Sequence, residues 1–292
     1  MTENLVSVRV WGDFACFTRP EMKVERVSYP VMTPSAARGV LEAIFWEPEV
    51  YYVIDSIRVI NRGKWASFMR NEVIKVINVN SVTTWMKDPA RFEPIQAGGG
   101  AKDGTQRNML ALEDVEYIIT AELAPTEIGR RSAVKLTKYL NEFKRRAQQG
   151  KCFHRPCLGM REFAADFDWE ADPQAALERR AVELYPGQDW RLIWLHEDLG
   201  LMLYDVFDYE ERGHGFRWGS DRAGEISVPI PEMATDVTPD RKPRLRTSVP
   251  SGVFEGRKVA PYASYFKARI DEARMECNPA RTAIIRRILT EG

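Results

Sequence analysis

The stretch from Val8 to Pro48 constrains the fold more than any other part of the chain. Val8 and Val10 flank a polar residue, which is the period-two pattern of a half-buried strand. Thr33 followed by Pro34 is typical of a helix start, because a hydroxyl can cap the first turn and proline fits the first helical position. Apolar residues then recur at helical spacing, and Pro48 disfavours helix at the residue before it. The stretch therefore predicts a strand, a long loop and an amphipathic helix.

The loop between that strand and that helix is basic and aromatic, without helical periodicity: Phe14, Phe17, Arg19, Lys23, Arg26 and Tyr29. Cationic and aromatic side chains together suit an anionic ligand that carries bases. A solvated connection between the first strand and helix of a domain core explains the same residues equally well. The residues of the loop leave both interpretations open.

The distribution of charge is more informative than its total. The 292 residues include 42 Lys plus Arg and 42 Asp plus Glu, so the net charge points to no class of partner. Residues 130–155 are strongly basic, which fits either a surface that faces nucleic acid or an amphipathic helix with a solvated basic face. The cysteines at 16, 152, 157 and 277 form no disulfide framework, which indicates a reduced, cytoplasmic protein.

Later segments complete the predicted fold. We predict strands at 51–60, 64–71 and 106–124, a loop at 88–104, and a helix at 132–149 whose apolar row is Leu136, Leu140, Phe143 and Ala147. This order resembles a split βαβ, ferredoxin-like arrangement. We expect an α+β fold: a ferredoxin-like (RNA-recognition-motif-like) domain at 1–165, a small antiparallel β-sheet with a short helix at 166–232, and a basic linker with a C-terminal helical tail at 233–292. The tail helices are expected at 262–277 and 279–289.

No catalytic triad, phosphate-binding glycine loop or metal-ligand cluster stands out, so the sequence predicts no cofactor and no metal. No apolar run reaches the ~18 residues of a membrane span, and no membrane partner is expected. A basic helix beside an arginine-rich aromatic loop would permit phosphate contacts, base stacking and metal-free RNA cleavage. The residues by themselves favour simple binding over cleavage.

Four segments together resemble the CRISPR-associated Cas-five family of subtype I-C, also called the Dvulg type. They are WGDFACFTRPEMKVERVSYPVMTPSAARGVLEAIFWEP, RNEV, DVEYIITAEL and GKCFHRPCLGMREFAADF. The resemblance covers roughly residues 6–231. It implies a metal-independent endoribonuclease that cuts the repeat hairpin of precursor CRISPR RNA and stays on its 5′ handle. The implied partners are that RNA, the backbone and large subunits of a surveillance complex and, through the complex, target DNA.

The resemblance also implies a site. In the family, a tyrosine or histidine ends the first helix just before Trp-x-Pro, and a Lys-His pair lies near the start of the second helix. These positions fall on Phe45, Lys138 and Tyr139 here. Lys138 can stabilise the pentavalent phosphate and Tyr139 can exchange a proton, whereas Phe45 has no ionisable group; His154 is an alternative acid or base.

The RNA contacts implied by the resemblance are basic side chains: Arg19, Lys23, Arg26, Arg38, Arg70, Arg107, Lys135, Arg145, Arg146, His154 and Arg155. Two other functions stay open. The chain could be a non-catalytic structural subunit that only binds the handle, or an interaction protein whose C-terminal tail recruits a partner.

Overall fold

The computed structural model describes residues 4–74, 78–98, 100–133, 135–189, 196–207, 209–214, 216–218, 236–237, 243–244, 257–259 and 263–286. The strands of these residues are Leu5–Ala15 (β1), Arg26–Val27 (β2), Val50–Asn61 (β3), Lys64–Val73 (β4), Gly104–Pro125 (β5), Asp166–Trp169 (β6), His196–Asp205 (β7), Phe216–Trp218 (β8), Asp236–Val237 (β9), Pro243–Arg244 (β10), Arg257–Val259 (β11), Ser264–Asp271 (β12), Arg274–Glu276 (β13) and Ile284–Arg286 (β14).

The helices are Pro34–Ile44 (α1), Val79–Lys87 (α2), Glu127–Arg131 (α3), Leu136–Gln148 (α4), Pro173–Leu184 (α5) and Tyr209–His214 (α6), with a 3-10 turn at Pro89–Arg91. The predicted first helix is confirmed at its start, where the Thr33 side chain accepts a hydrogen bond from the backbone N–H of Ala36 at 3.2 Å. No helix among the described residues is both long and apolar enough to cross a membrane.

A large mixed sheet, almost entirely antiparallel, organises the fold. Within the described residues its strands follow the order β14-β12-β13-β3-β5-β1-β6, while β2 and β4 also pair with β5 and β7 pairs with β12. The long strand β5 lies at the centre, because its first half pairs with β4 and its second half lies between β1 and β3. Residues 115–121 of β5 are all buried, so both faces of the sheet are covered there.

Helices α1 and α4 position the site described below. They pack against each other, α1 against β3 and β7, and α4 against β1, β5 and β6. The predicted apolar row of α4 is only partly right. Tyr139, Phe143 and Ala147 form its buried face at spacings of four, whereas Leu136 and Leu140 are partly buried beside them.

The predicted helical tail is wrong where the structure describes it. Residues 264–271 and 274–276 form strands, with β12 paired to β7 and β13 paired to β3. Burial alternates along β12, so Phe266, Ala268 and Ile270 point into the core while Lys267 and Arg269 face solvent. The tail therefore completes the core of the large sheet.

The small antiparallel sheet expected at 166–232 differs from the strand pairing in the described part of the chain, where β8 pairs in parallel with β11 in a two-stranded sheet of its own. Strands β6 and β7 belong to the large sheet through β1 and β12, and the short helix predicted in this region is α5. Residues 219–232 of the expected small-sheet region and most of the expected linker at 233–261 lie outside the described residues. So do residues 287–289 of the second predicted tail helix. The three-part division of the chain stays a prediction.

Candidate functional site

The C-terminal end of α1 is the centre of the candidate site. The helix ends at Phe45, whose backbone is extended and whose N–H donates to the carbonyl of Leu41 at 3.0 Å. The hydroxyl of Tyr52 donates to the carbonyl of Phe45 at 2.7 Å. This buried hydrogen bond fixes the point at which the chain leaves the helix, so the residues that follow have a defined position.

Two of the three predicted catalytic positions meet as aromatic rings. The centroids of Phe45 and Tyr139 lie 6.1 Å apart, and the two residues are only 5% and 9% exposed. Tyr139 therefore begins the buried face of α4, although the predicted apolar row of that helix leaves it out. Phe45 packs in the core and has no atom that can exchange a proton, so its role is packing and it is withdrawn as a catalytic residue.

Cations surround these rings. The ammonium of Lys138 is exposed and lies 5.7 Å from the centroid of Tyr139. The guanidinium carbon of Arg146 lies 5.3 Å from the centroid of Phe45. The same guanidinium donates to Glu142 at 2.7 Å and to the carbonyl of Ile44 at 3.5 Å. Positive charge is thus held at the helix end where backbone carbonyls lack helical partners.

His154 belongs to the same place. The loop after α4 crosses the end of α1, where the backbone N–H groups of Phe153 and His154 both donate to the carbonyl of Ala43, at 2.9 and 3.0 Å. The imidazole of His154 is exposed and its centroid lies 4.4 Å from that of Phe153. The fold therefore brings an exposed histidine to the helix end that carries Phe45.

Two carboxylates after the helix end shape the local electrostatics. Burial, and then the charges of Glu49 and Glu47, raise the pKa of Tyr139 above its ordinary value. Tyr139 consequently keeps its proton at neutral pH and can donate it, but cannot act as a base. Burial and Glu49 also raise the pKa of Glu47, while Arg146 and Lys138 oppose that shift. Sequence reasoning missed these carboxylates, although Glu-Pro-Glu directly after the helix was a visible signal.

The predicted RNA contacts of the first loop lie on its surface. Arg19 stacks on the ring of Tyr29, with its guanidinium carbon 4.5 Å from the centroid, and is 3.6 Å from Glu21. Lys23 is exposed and Arg26 is half-buried on β2. Neither Lys23 nor Arg26 forms an ion pair with any described carboxylate. This part of the prediction places three cations where a ligand could reach them.

The structure corrects the expectation that Arg38 contacts RNA. Its guanidinium donates to Asp205 at 2.8 and 3.1 Å and to Glu42 at 2.6 Å, and its side chain is 11% exposed. Arg212 joins the cluster through Glu42 at 2.9 Å and Asp205 at 3.4 Å. Because both carboxylates already bind this guanidinium inside the protein, Arg38 links α1 to β7 and is withdrawn as an RNA contact.

The remaining predicted contacts form two groups. Arg70 and Arg107 are register partners across β4 and β5, and they pair with Glu162 and Glu72, at 2.5 and 3.3 Å. The others lie on or beside α4: Lys135, Arg145 and Arg155 are exposed, with Arg155 paired to Asp166 and Arg145 to Glu142. The predicted contacts on β4 and β5 and those on or beside α4 thus form two separate groups. No group of three or more His, Cys, Asp or Glu side chains in the described residues is placed to hold a metal ion.

Comparison with known proteins identifies the family. Residues 5–241 match the family model Cas_Cas5d, described as CRISPR-associated protein (Cas_Cas5). The chain belongs to the Cas5d family. It is 39% identical over 232 residues to the CRISPR pre-crRNA endoribonuclease Cas5d of Mannheimia succiniciproducens, covering 77% of this chain and 95% of that protein. The Cas5d of Thermus thermophilus, which has the same name, is 38% identical over 208 residues, covering 71% of this chain and 76% of that protein.

One solved structure has a fold similar to that of this chain. The crystal structure of a CRISPR-associated protein superimposes with a TM-score of 0.50 at 18% identity, covering 93% of this chain and 90% of that one. At such low identity the likeness concerns the fold alone. The mixed α/β architecture with a large antiparallel sheet is therefore shared with another CRISPR-associated protein.

Proposed function

We propose that this chain cuts the repeat hairpin of precursor CRISPR RNA without a metal and remains on the 5′ handle as a subunit of the subtype I-C surveillance complex. The observation that carries the proposal is the position of three residues around the end of α1. The ring of Tyr139 lies beside Phe45, the ammonium of Lys138 lies near that ring, and the backbone N–H of His154 donates to the carbonyl of Ala43. These residues stand in a chain that is 39% identical to a protein named as a pre-crRNA endoribonuclease, over 77% of this chain and 95% of that protein.

The chemistry requires three things of the site. The ribose 2′-oxygen attacks phosphorus, the bond from phosphorus to the 5′-oxygen breaks, and a 2′,3′-cyclic phosphate and a 5′-hydroxyl result. A base must take the 2′ proton, the 5′-oxygen must receive a proton, and the charge on the phosphate must be stabilised. In our proposal His154 is the base, Tyr139 the proton donor and Lys138 the stabilising cation.

The division of labour between Tyr139 and His154 follows from their surroundings. Burial and the neighbouring carboxylates raise the pKa of Tyr139, so its hydroxyl is protonated when RNA binds. An exposed imidazole is the side chain whose ordinary pKa lies nearest neutrality, which suits a base. The handle would bind to the implied cations of the first loop, Arg19, Lys23 and Arg26, and to those on or beside α4, Lys135, Arg145 and Arg155. The complex would carry that RNA to target DNA.

The finer fold belongs to the same proposal. The order β3-β5-β1-β6, with α1 between β1 and β3 and α4 between β5 and β6, supports a ferredoxin-like core. Such a sheet places α1 and α4 side by side on one face. The site then lies at the end of the first helix of that core.

A non-catalytic handle-binding subunit is the second candidate. It is favoured by one observation: the position at which the resemblance implies a proton-handling group is a buried phenylalanine, Phe45. In that case the cations of α4 and the first loop would hold RNA that another nuclease has cut.

One experiment separates the two. Purified protein is incubated with its cognate repeat RNA in EDTA, and the products are separated and their ends analysed. A single cut with a 2′,3′-cyclic phosphate supports the enzyme, whereas tight binding of intact RNA refutes it. Lys138→Ala should slow cleavage, and Lys144→Ala is the matched control because Lys144 is an exposed lysine of the same helix that lies over Trp169 instead. Equal rates in both variants would show that Lys138 is assigned wrongly.

A further inference from the structure

Arg146 is placed differently from the other cations of α4. Its guanidinium lies over Phe45 and reaches the carbonyl of Ile44, so it sits at the helix end around which the site is built. Its side chain is 29% exposed, compared with 48% for Arg145. A half-buried cation interacts more strongly with an anion than a fully solvated one, because less water screens it.

Glu142 fixes the orientation of this guanidinium. It accepts a hydrogen bond from Nε of Arg146 at 2.7 Å and two from Arg145, at 2.8 and 2.9 Å. Hydrogen bonds from Arg145 and Arg146 lower the pKa of Glu142 to about 2, so the carboxylate stays charged at any working pH. Within the described residues, Nη2 of Arg146 has no partner, which leaves one donor edge of the guanidinium open.

We propose that Arg146 donates hydrogen bonds to a non-bridging oxygen of the scissile phosphate, and that Glu142 is the residue that positions it. The inference rests on the proposed function above. Negative charge accumulates on those oxygens as the 2′-oxygen bonds to phosphorus and the 5′-oxygen leaves. A guanidinium presents parallel donors that match a phosphate, and it stays protonated, so Arg146 transfers no proton.

This arrangement gives position 45 an indirect role in the site. Phe45 has no charge or donor, but its ring face supports a cation that does. The site then depends on charge stabilisation by Lys138 and Arg146 together with proton exchange by Tyr139 and His154. Arg146 becomes a catalytic residue by this inference, and Glu142 a positioning residue.

Arg145 is a matched control for Arg146. The two arginines are adjacent on α4, carry the same charge and share Glu142, but Arg145 turns to Gln149 at 3.1 Å and away from Phe45. Removing either one takes one positive charge from the same helix. A difference between the two variants therefore reports position and not overall charge.

The test measures single-turnover cleavage at saturating repeat RNA, with RNA affinity measured separately. At saturating RNA we expect Arg146→Ala to slow cleavage by about 10²-fold, as loss of one charge-stabilising donor commonly does. Arg145→Ala removes an implied RNA contact, so it should weaken RNA affinity, but it should slow the saturated cleavage rate by less than about threefold. Arg146→Lys should recover part of the rate. Glu142→Gln should slow cleavage by about tenfold without weakening RNA binding, because it loosens Arg146 and leaves it charged.

Sulfur substitution at the scissile phosphate separates contact from mere packing. If Arg146 touches a non-bridging oxygen, replacing that oxygen with sulfur slows the wild type and Arg145→Ala by about tenfold but slows Arg146→Ala by less than about twofold. Equal sulfur effects in all three proteins, or equal rates of Arg146→Ala and Arg145→Ala, would overturn the inference alone. A wild-type protein that binds the RNA without cutting it would overturn the proposed function and this inference with it.

Discussion

The cluster that binds α1 to β7 can be tested through Asp205. This carboxylate is 7% exposed and accepts hydrogen bonds from Arg38 at 2.8 and 3.1 Å and from the backbone of Val206 at 2.6 Å. Asp205→Asn preserves the shape but removes the charge of one of the two carboxylates, Asp205 and Glu42, that pair with Arg38 and Arg212 in this cluster. Breaking a buried ion pair in this way costs roughly 3 to 5 kcal/mol of unfolding free energy.

The change in melting temperature follows from the size of the chain. An unfolding entropy of about 2.1 cal/mol/K per residue gives ~0.6 kcal/mol/K for this chain, so we expect Tm to fall by about 5 to 8 °C. Thermal unfolding followed by circular dichroism measures it. Asp198→Asn is the control, since Asp198 lies on the same strand but is exposed and should shift Tm by less than about 2 °C.

A second variant tests the reason for the loss. Asp205→Asn combined with Arg212→Met removes the surplus cation, so it should be more stable than Asp205→Asn alone. Two results would contradict this reasoning: Asp205→Asn with the same Tm as Asp198→Asn, or a double variant with a lower Tm than Asp205→Asn. Either one would show that balanced charge does not stabilise this cluster.

The same carboxylate predicts a pH dependence. Burial by itself would raise the pKa of Asp205, but Arg38 and Arg212 hold it below its ordinary value. The unfolded chain therefore takes up a proton more readily than the native one. The stabilisation is complete above the unfolded pKa of ~3.9 and is lost as the pH falls through the lower native value. The Tm difference between wild type and Asp205→Asn should be constant near neutrality and narrow below about pH 4.

Three further perturbations have defined outcomes. Gly159→Ala should lower the unfolding free energy, measured by chemical denaturation, by more than about 3 kcal/mol, because Gly159 has a φ of +85° and an added Cβ would collide with the carbonyl of Cys16. Gly39→Ala is the control: it adds a Cβ in open space on α1 and should stabilise the protein by up to ~1 kcal/mol in the same assay. Tyr139→Phe should slow single-turnover cleavage by about 10²-fold with Tm and RNA affinity unchanged, and an undiminished rate would remove Tyr139 from the mechanism. Deletion of residues 263–292 should abolish the cooperative unfolding transition, whereas a tail that only recruits a partner would leave it intact.

Local signals in the sequence predicted the elements around the site well. The Thr33-Pro34 start of α1, strands β3 and β4 and the long strand β5 are confirmed within a few residues. Each rests on a cap or a periodicity that the element itself carries. The prediction of a helical tail is wrong because it gave more weight to helix-forming residues than to the alternation of apolar and polar residues at 264–271. That alternation decides which side chains of β12 are buried.

The candidate site was predictable in part. Lys138 and Tyr139 came from the resemblance, and the structure brings both to the end of α1. Arg38 was misjudged because its partner Asp205 is 167 residues away in the chain, and no local pattern announces such a pairing. The burial of Tyr139 was missed for a related reason, since only the packing of α4 against α1 decides which face of that helix is covered.

The position of β13 has a consequence for how this protein is made. Arg274 on β13 meets Asp55 on β3 across 219 residues of chain, and β13 pairs directly with residues 56–58. During synthesis the edge of β3 that pairs with β13 stays unpaired until β13 has left the ribosome. Exposed strand edges promote association between chains, and domains normally fold as soon as their sequence is complete. The yield of this protein should therefore depend on protection of that edge during translation, and sequences added after β13 will act on the last step of folding.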